Sequence, residues 1–346
     1  MRKHLLPEAG NFYKANLHTH TTVSDGRLTP EEAKAWFVEH GYSVVAYTDH
    51  EVMVPHPELC DENFIAITSY EISVNDSAWN PYTKTYHLNV YSSDINMSAP
   101  RTFWRVAASG RESMRSHITP EMIANGVEKR EYSKEFIQWV IDTSREEGCI
   151  VSYNHPVWSL QDKDDYCGLH GIWGVEWYNN GGNRSGYREN IQPITDLLRQ
   201  GERKCYPLAT DDCHGVLAYG GGWVWIKAPV LEYSEIFKAL ERGDFYSSTG
   251  PEIYELYVED GMLHAKTSAA ATIEVVTDQR MMLASRPAKG EETLCEASFD
   301  LTKFRDNSAY TPEGRCAWLR VDVYDNCGKC ARTRAYFADE IFDSEA

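Results

Sequence analysis

Positive charge is scarce in this sequence of 346 residues. Lysine and arginine together number 34 against 52 aspartates and glutamates, so the formal net charge is −18. A surface of that sign repels polyanions, which argues against a groove for extended nucleic acid. A small anionic substrate stays compatible with it, because a few cations in a pocket outweigh a distant acidic surface. The excess of carboxylates also suits the binding of metal cations.

Long apolar runs are absent as well. No run approaches the roughly 18 residues that a membrane-spanning helix needs, and the N-terminus, MRKHLLPEAGNFY, lacks the apolar stretch of a signal peptide.

The nine cysteines are an odd number with a single CxxC pair, Cys327 and Cys330. We therefore expect reduced thiols in a cytoplasmic protein, and we interpret the CxxC as a turn in preference to a zinc or redox site.

Short β-branched and aromatic segments alternate with amphipathic helical patterns, which predicts an α/β fold. The clearest helix signal is TPEEAKAWFVEHG, in which Thr29 and Glu32 form a capping box around Pro30, and Gly41 can end the helix. The other predicted helices are 133–147, 188–200 and 233–241. The predicted strands lie near 15–18, 43–48, 64–69, 86–91, 149–153, 174–177, 206–209 and 223–226.

The pattern changes at Ser248-Thr249-Gly250-Pro251. Downstream of it, apolar and polar residues alternate between turn signals, and no long helix is indicated. We therefore predict an α/β domain over residues 1–250 and a small antiparallel β domain of unknown role over residues 251–346. Within the first domain, residues 75–131 are less periodic, which predicts an excursion that helps to shape a pocket.

Seven apolar runs carry ligand-type side chains, in most cases at or just past the end of the run. The C-terminal ends of parallel strands converge on one face of an α/β fold, so these side chains would meet in one pocket. The histidines of HTH are the strongest pair, because residues i and i+2 of a strand project to the same face. One candidate, His87, departs from the pattern by lying near the start of its run. The runs are NLHTH (His18, His20), VVAYTDH (Asp49, His50), FIAITSYE (Glu71), YHLNVY (His87), IVSYNH (His155), GVEWYN (Glu176) and LATDDCH (Asp212, His214).

Each candidate also has an ordinary explanation when it is taken alone. His155 in YNHP is typical of a capping histidine, Asp25 in SDG of a turn, and Glu71 of a solvated strand end. Together, however, the runs carry six histidines and four carboxylates. Imidazole nitrogen with carboxylate oxygen suits zinc, manganese or iron better than a thiolate site would. The set as a whole therefore predicts a metal site.

These motifs, in this order, resemble the PHP (polymerase and histidinol phosphatase) superfamily of metal-dependent phosphoesterases. The resemblance rests on HTHTTVSDG, TDH at 48–50, Glu71, His87, the NHP around His155 and DDCH at 211–214, and it spans about residues 12–227. It implies that residues 1–250 form a distorted (β/α)7 barrel with metals at the C-terminal strand ends.

The resemblance also implies a cluster of two to three divalent transition metals, namely zinc, manganese or iron. Glu71 would bridge the first and second metals, and Asp25 occupies a position that some members fill with histidine. Asp49 would orient a ligand without binding metal itself. The spacing to His214 favours Asp212 over Asp211 as a ligand, and Cys213 is expected to pack. The implied ligands are His18, His20, Glu71 and Asp212 for the first metal, His87 and His155 with Glu71 for the second, and Asp25, His50 and His214 for the third.

The implied reaction is phosphomonoester hydrolysis by a hydroxide that bridges two metals, without a nucleophilic side chain. Candidate phosphate clamps are Arg184 and Arg188, which follow Glu176, and Lys227 after the last strand; a solvated surface position is the alternative for each. His170 in CGLHG is a candidate general acid or pocket wall, with an ordinary loop histidine as the alternative.

Three other functions compete with the phosphomonoesterase. A phosphodiesterase or exonuclease-like activity on nucleotides or short oligonucleotides could use Trp158, Trp173 and Trp177 for stacking. A non-catalytic metal-binding regulatory module is disfavoured by the complete ligand set. A metallo-amidohydrolase would want a carboxylated lysine at a strand end, which the sequence does not offer. We expect a small phosphorylated substrate, no extended nucleic acid and no membrane partner; the sequence is silent on oligomeric state.

Overall fold

The computed structural model describes residues 2–77, 80, 82–109, 112–308 and 317–342. Eighteen strands lie in these ranges. They are β1 (Lys3–His4), β2 (Asn11–Thr19), β3 (Val44–Tyr47), β4 (Ile65–Asn75), β5 (Thr85–Ser92), β6 (Cys149–Tyr153), β7 (Gly174–Asn179), β8 (Tyr206–Thr210), β9 (Trp223–Ala228), β10 (Phe245–Ser248), β11 (Ile253–Glu259), β12 (Met262–Ala270), β13 (Thr272–Thr277), β14 (Met282–Ser285), β15 (Leu294–Asp300), β16 (Trp318–Tyr324), β17 (Cys330–Thr333) and β18 (Tyr336–Phe337).

The predicted capping box is present at the first helix. The Thr29 hydroxyl accepts a hydrogen bond from the Glu32 amide at 3.2 Å, and the Glu32 carboxylate accepts one from the Thr29 amide at 2.9 Å. Predicted helix 188–200 is shorter than expected and begins at Gln192. The helices are α1 (Pro30–Glu39), α2 (Glu112–Arg115), α3 (Pro120–Asn125), α4 (Lys134–Glu146), α5 (Lys163–Tyr166), α6 (Asn180–Arg184), α7 (Gln192–Gln200), α8 (Tyr233–Arg242), α9 (Thr302–Ser308) and α10 (Ala338–Ile341), with 3-10 turns at Pro57–Leu59, Arg105–Ser109 and Val216–Ala218.

The strands form two sheets, and the fold is mixed α/β. The large sheet has the order β14-β13-β16-β17-β10-β9-β2-β3-β4-β5-β6-β7-β8, with β18 on β16, and the smaller one has the order β1-β11-β12-β15. Strands β2, β3 and β4 are parallel, as are β6, β7 and β8. Strands β5 and β9 instead run antiparallel to the neighbours between which they lie.

The expected distorted (β/α)7 barrel is not confirmed. In the described part of the chain the large sheet stays open, because no ladder joins β8 to β2 or β9. The Asp211 side chain fills the gap, where it accepts hydrogen bonds from the Asn16 side chain at 2.6 Å and from the amides of Gly220, Gly221 and Gly222 at 2.7–3.0 Å. Directly after β8, Cys213 forms an isolated parallel bridge with Thr19, the last residue of β2.

The antiparallel direction of β5 and β9 decides which side chains reach the C-terminal edge of the parallel strands. His87, near the start of β5, is paired with Ser73 in β4 and therefore lies at that edge. Lys227, near the end of β9, is paired with Phe12 at the start of β2 and lies at the opposite edge. Because β5 is reversed, His87 lies at the edge with the candidate ligands; because β9 is reversed, Lys227 lies at the opposite edge.

The C-terminal region is antiparallel, as expected, but its strands do not form an isolated sheet. Strands β13, β14, β16 and β17 continue the large sheet through the pairing of β10 with β17. The small sheet packs on this extension, since Leu256 and Leu263 of one layer share a core with Val275 and Val321 of the other. The boundary at residue 250 stays a prediction.

The predicted excursion follows β5 and contributes a small lobe beside the strand ends. Phe103 and Met114 of this lobe pack against Val23 and Val52, which belong to the loops after β2 and β3. The lobe therefore borders the edge to which the candidate ligands point.

Two further expectations concern the state of the cysteines and a membrane-spanning helix. The eight described cysteines are free thiols, among them exposed Cys327 and buried Cys330, whereas Cys316 lies outside the described residues. In the described part of the chain, no helix has the length and apolar character that crossing a membrane requires.

Candidate metal centre

The HTH motif at the end of β2 supplies two fully buried imidazoles to one group of donor atoms. His18 Nε2 and His20 Nε2 lie 3.2 Å apart, and each is 3.3–3.4 Å from an oxygen of Glu71. Asp212 Oδ1 is 3.4 Å from His18 Nε2 and 3.2 Å from His20 Nε2. A tetrahedral zinc site with bonds of about 2.0–2.1 Å has ligand atoms roughly 3.3 Å apart. Two imidazoles and two carboxylates are therefore already spaced as ligands of one ion.

Glu71 also faces a second group of donors. Its Oε1 is 3.1 Å from His87 Nδ1 and 3.4 Å from His155 Nε2. Asp212 Oδ2 lies 3.7 Å from the same His155 nitrogen, while Asp212 Oδ1 faces the first group. Both carboxylates thus lie between two sets of imidazoles, which is the placement of bridging ligands.

A third group of donors is more exposed than the other two. Asp25 Oδ1 is 3.3 Å from His214 Nε2 and 3.6 Å from His20 Nδ1, and Asp25 Oδ2 is 3.8 Å from His50 Nε2. The His214 side chain is 43% exposed, whereas those of His18 and His20 are fully buried. This group therefore marks the open side of the cluster.

Two imidazole nitrogens of the cluster are buried without a hydrogen-bond partner among the described residues. They are His20 Nδ1, which faces Asp25, and His50 Nδ1, which lies 3.1 Å from Glu71 Oε2 but outside hydrogen-bond geometry. Buried polar atoms normally have a partner. The orphan nitrogens and the donor chemistry fit divalent transition metals such as zinc, manganese or iron.

The backbone is strained where the candidate ligands lie. Five non-glycine residues of the described chain have positive φ, and two of them are the proposed ligands His155 (φ 28°) and Asp212 (φ 48°). A third, Glu51 (φ 66°), directly follows His50. Such a backbone costs about 1–3 kcal/mol per residue and is concentrated at functional sites in proteins. The strain is consistent with ligand geometry that the fold maintains at some cost in stability.

Glu176, one of the strand-end candidates, has a ligand atom within 4.8 Å of those of His18 and His155, but its hydrogen bonds favour an orienting role over metal binding. Its Oε1 accepts from Thr210 Oγ1 at 2.6 Å and lies 2.7 Å from His18 Nδ1. Its Oε2 accepts from the His155 amide at 3.0 Å and from Asn179 Nδ2 at 2.8 Å. A carboxylate offers about four acceptor positions, so these contacts use all of them. Glu176 therefore orients His18 so that Nε2 faces the cluster.

Replacement of Glu176 by glutamine tests this orienting contact. The amide nitrogen would face groups that need an acceptor, so the His18 ring would lose its fixed orientation. We expect metal affinity to fall by about 10–100-fold, as measured by titration against a competing chelator. Glu202→Gln is a matched control, because Glu202 makes a similar 2.6 Å contact with His170 Nδ1 on the surface. Equal affinities of the two variants would contradict the role given to Glu176.

Asp49 holds the loop that carries Asp25. Its carboxylate accepts hydrogen bonds from the amide and hydroxyl of Thr21, both at 2.8 Å, and from those of Ser24 at 3.1 and 2.7 Å. Asp49 thus fixes the segment just before Asp25 and itself directly precedes His50; its orienting role stays a prediction. Asp211 faces the glycine loop, and Cys213 is buried in an apolar cluster, so neither side chain takes part in the donor groups of the described residues.

Burial opposes the charged form of each donor, so the neighbouring charges decide its protonation. Burial would raise the pKa of Glu71, but His87 and the other imidazoles hold it well below the usual range. Burial, assisted by His214, lowers the pKa of His20 to about 4. Burial would also lower the pKa of His155, but the carboxylates of Glu71, Asp212 and Glu176 outweigh it and raise the value to about 9. Metals bind neutral imidazole, so an ion at this position competes with the proton of His155.

A cavity of about 550 Å³ opens beside Asp212 and His214. Arg184, at the end of α6, lines it, and so does Arg27; the role of Arg184 as a phosphate clamp stays a prediction. Neither guanidinium forms an ion pair or a side-chain hydrogen bond with the described residues. Arg188 is not among the lining residues and donates to Asn183 Oδ1 at 2.7 Å on the surface. Two arginines therefore remain available to an anion next to the donor cluster.

Two predicted site residues do not reach this cavity. His170 precedes β7, at the opposite strand end from Glu176; its side chain is 66% exposed and pairs with Glu202. Lys227 lies at the far edge because β9 is antiparallel, and its ammonium group is 4.2 Å from the centre of the Phe12 ring. The expectation that His170 is an acid and Lys227 a phosphate clamp is therefore corrected.

Sequence reasoning missed several side chains at the centre. Asn154 donates to Glu71 Oε1 at 2.9 Å, and Asn179 donates to Asp212 Oδ2 at 3.2 Å. A signal existed for both, because Asn154 lies within the NHP motif and Asn179 ends the GVEWYN run. Arg27 had no such signal in the sequence, because a single arginine in a polar loop belongs to no recognisable motif.

No family model matches the chain, and no curated protein does. Among solved structures, it is similar to a two-domain protein from Bacteroides vulgatus ATCC 8482 that contains a predicted PHP-like metal-dependent phosphoesterase, with 14% identity over 97% of each chain and a TM-score of 0.48. It is also similar to a putative metal-dependent phosphoesterase from Bifidobacterium adolescentis ATCC 15703, with 17% identity over 61% of this chain and 89% of the other and a TM-score of 0.41. A third similar structure is an amidohydrolase from Chromobacterium violaceum with bound sulfate and no metal, with 16% identity over 67% and 96% of the chains and a TM-score of 0.39.

Proposed function

We propose that this protein is a metal-dependent hydrolase that cleaves the phosphoester bond of a small phosphorylated molecule. The observation that carries the proposal is the buried group of His18, His20, Glu71 and Asp212, whose ligand atoms lie 3.2–3.4 Å apart. A structural histidine does not need three further donors at ligand spacing. Divalent metals bound there would activate water and neutralise phosphoryl oxygens.

The proposed ligands fall into three sets that share side chains. Glu71 and Asp212 belong to more than one set, so each would contribute ligand atoms to more than one ion. We propose two to three ions of zinc, manganese or iron. The sets are His18, His20, Glu71 and Asp212; Glu71, His87, His155 and Asp212; and Asp25, His50, His214 with His20.

The side chains that line the cavity would bind and orient the substrate. Arg27 and Arg184 supply positive charge without carboxylate partners at the cavity wall, so they would bind phosphoryl oxygens and orient the phosphorus toward Asp212 and His214. No side-chain nucleophile is assigned. The net charge of −18 favours a small substrate over a long polyanion. The cytoplasmic location and the absence of a nucleic-acid or membrane partner stay predictions.

Metal analysis and hydrolysis of generic substrates test the proposal together. We expect two to three equivalents of transition metal in the purified protein and cleavage of an aryl phosphate that stops when a chelator is added. An aryl ester and an aryl amide with the same chromophore are the matched controls and should be poor substrates. A protein with only traces of metal, or one that prefers the ester or amide, would contradict the proposal.

A further inference from the structure

Three large apolar side chains are exposed around the mouth of the cavity. Trp158, Val216 and Leu217 line it and are 38%, 52% and 79% exposed. A single exposed apolar side chain needs no explanation, but a cluster at the edge of a concave site is typical of ligand binding. The cavity volume of about 550 Å³ lies in the usual range for small-molecule sites.

The Trp158 side chain lines one part of the cavity, and its contacts fix its position relative to the candidate ligands. Its ring lies edge-on to His155 with centroids 4.9 Å apart, and tilted against His87 at 5.4 Å. The carboxylate of Glu189 accepts hydrogen bonds from the amides of Val157 and Trp158, both at 2.9 Å. A group that contacts this indole is therefore held at a defined position beside the metal centre.

The 3-10 turn Val216–Ala218 forms a second part of the cavity lining. Its end is fixed because Asn180 Nδ2 donates to the Ala218 carbonyl at 2.7 Å. Among the described lining residues, the hydroxyl group is that of Ser185, and it already donates to the Gly181 carbonyl at 3.1 Å. With Arg27 and Arg184 bound to the phosphoryl group, a sugar or polyol would lose hydration here and find few remaining partners, whereas an apolar ring would lose little.

We propose that this cavity binds an apolar, ring-bearing leaving group of the substrate between Trp158 and the Val216–Leu217 turn. The inference rests on the proposed function, because it takes the phosphoryl group to lie at the metal centre and the two arginines. It narrows the substrate class to phosphoesters of apolar ring compounds, and it makes Leu217 and Val216 determinants of specificity. The driving force is removal of apolar surface from water on both sides of the ring.

Non-hydrolysable phosphonates test this inference without depending on the rate of chemistry. The metal-loaded full chain is titrated by calorimetry with phenylphosphonate and with methylphosphonate, which share the anionic group and differ in the ring. We expect the phenyl compound to bind at least about tenfold more tightly. In the double variant Val216→Ser/Leu217→Ser this preference should shrink by about threefold or more. Met282→Ser, an equally exposed apolar position on β14, is the control and should keep the preference.

The outcomes separate the two proposals. Equal affinity of the two phosphonates for the unaltered protein would overturn the inference and leave the phosphoesterase proposal standing. Binding of neither phosphonate would overturn phosphoryl recognition and the inference with it. Loss of the preference in Met282→Ser as well would show that the effect does not come from the cavity wall. Thermal unfolding of each variant shows whether the turn substitutions leave the fold intact, and the comparison of ligands on the unaltered protein stands in either case.

Discussion

Replacement of Glu71 by glutamine is expected to remove at least one metal equivalent and to lower aryl phosphate turnover by more than about 100-fold. Glu71 lies against the imidazoles of the first and second donor groups and against His50, whereas Asp212, the other carboxylate between the two groups, forms no ion pair with His87 or His50 among the described residues. Glutamine offers one acceptor oxygen and no charge, and its amide nitrogen would repel a cation. Loss of a residue that only orients a ligand lowers metal affinity or activity by about 10–100-fold. Loss of a bridging ligand should therefore lower turnover by at least as much.

Elemental analysis of the folded variant and its initial rate check this expectation. Asp196→Asn is the matched control, since it exchanges a buried carboxylate for an amide on α7, where the carboxylate accepts a hydrogen bond from Tyr166. The control should retain full metal content and rate. A Glu71→Gln protein with unchanged metal content and unchanged turnover would remove the basis of the metal centre.

The elements of the α/β region could be predicted because their signals are local. Strand β6 runs over residues 149–153 as the apolar segment predicted, and α1 begins where the Thr29 capping box placed it. Strand β4 extends to Asn75, past the predicted end at residue 69. The extension is hidden in the sequence because ISVN is too polar to stand out from a loop.

Strand direction and sheet closure are not local, and the sequence pattern did not resolve them. A (β/α)7 barrel needs parallel strands, yet β5 and β9 are reversed, and Asp211 with its glycine loop occupies the place of a closing ladder. One signal was present. His87 lies near the start of its run, and a ligand at the start of a strand reaches the common edge only when that strand is antiparallel.

The site residues could likewise be predicted where the signal was local and could not where strand direction mattered. The histidines and carboxylates that end parallel strands could be assigned because strand ends converge, and the structure brings all nine candidate ligands into contact groups. Whether they bind metal stays a prediction. Lys227 and His170 failed because their chain direction puts them at the other end of the sheet. Arg27 was missed because its role depends on a loop contact with His214, whose carbonyl accepts from the Arg27 amide at 3.0 Å.

A buried ion pair attaches the lobe after β5 to the site. Arg130 Nη1 donates to Glu51 Oε2 at 2.5 Å and to the Ser73 carbonyl at 2.9 Å, and the two side chains are only 3% and 12% exposed. Glu51 directly follows His50, and its amide donates to the Glu71 carbonyl at 2.8 Å. The ion pair therefore fixes the backbone between two proposed ligands.

Arg130→Met is expected to lower the free energy of unfolding by about 3–5 kcal/mol, because it leaves the buried Glu51 carboxylate without its partner. Urea-induced unfolding followed by circular dichroism measures the change. Arg101→Met is the matched control. Arg101 pairs with Glu146 at 2.7 Å, but these side chains are 46% and 68% exposed, so the same substitution should cost less than about 1 kcal/mol.

The double variant Arg130→Met/Glu51→Gln separates loss of the charge partner from loss of packing. If the unpaired carboxylate dominates the cost, neutralising it should restore more than half of the lost stability, because the glutamine oxygen can still accept from the Ser73 amide that Glu51 binds at 3.1 Å. If the double variant is as unstable as Arg130→Met, the arginine acts instead through its hydrogen bond to the Thr102 carbonyl and its contact with the Trp104 ring. Equal stability of Arg130→Met and Arg101→Met would show that the Glu51 carboxylate needs no buried partner, and the attachment of the lobe to His50 would then lie elsewhere.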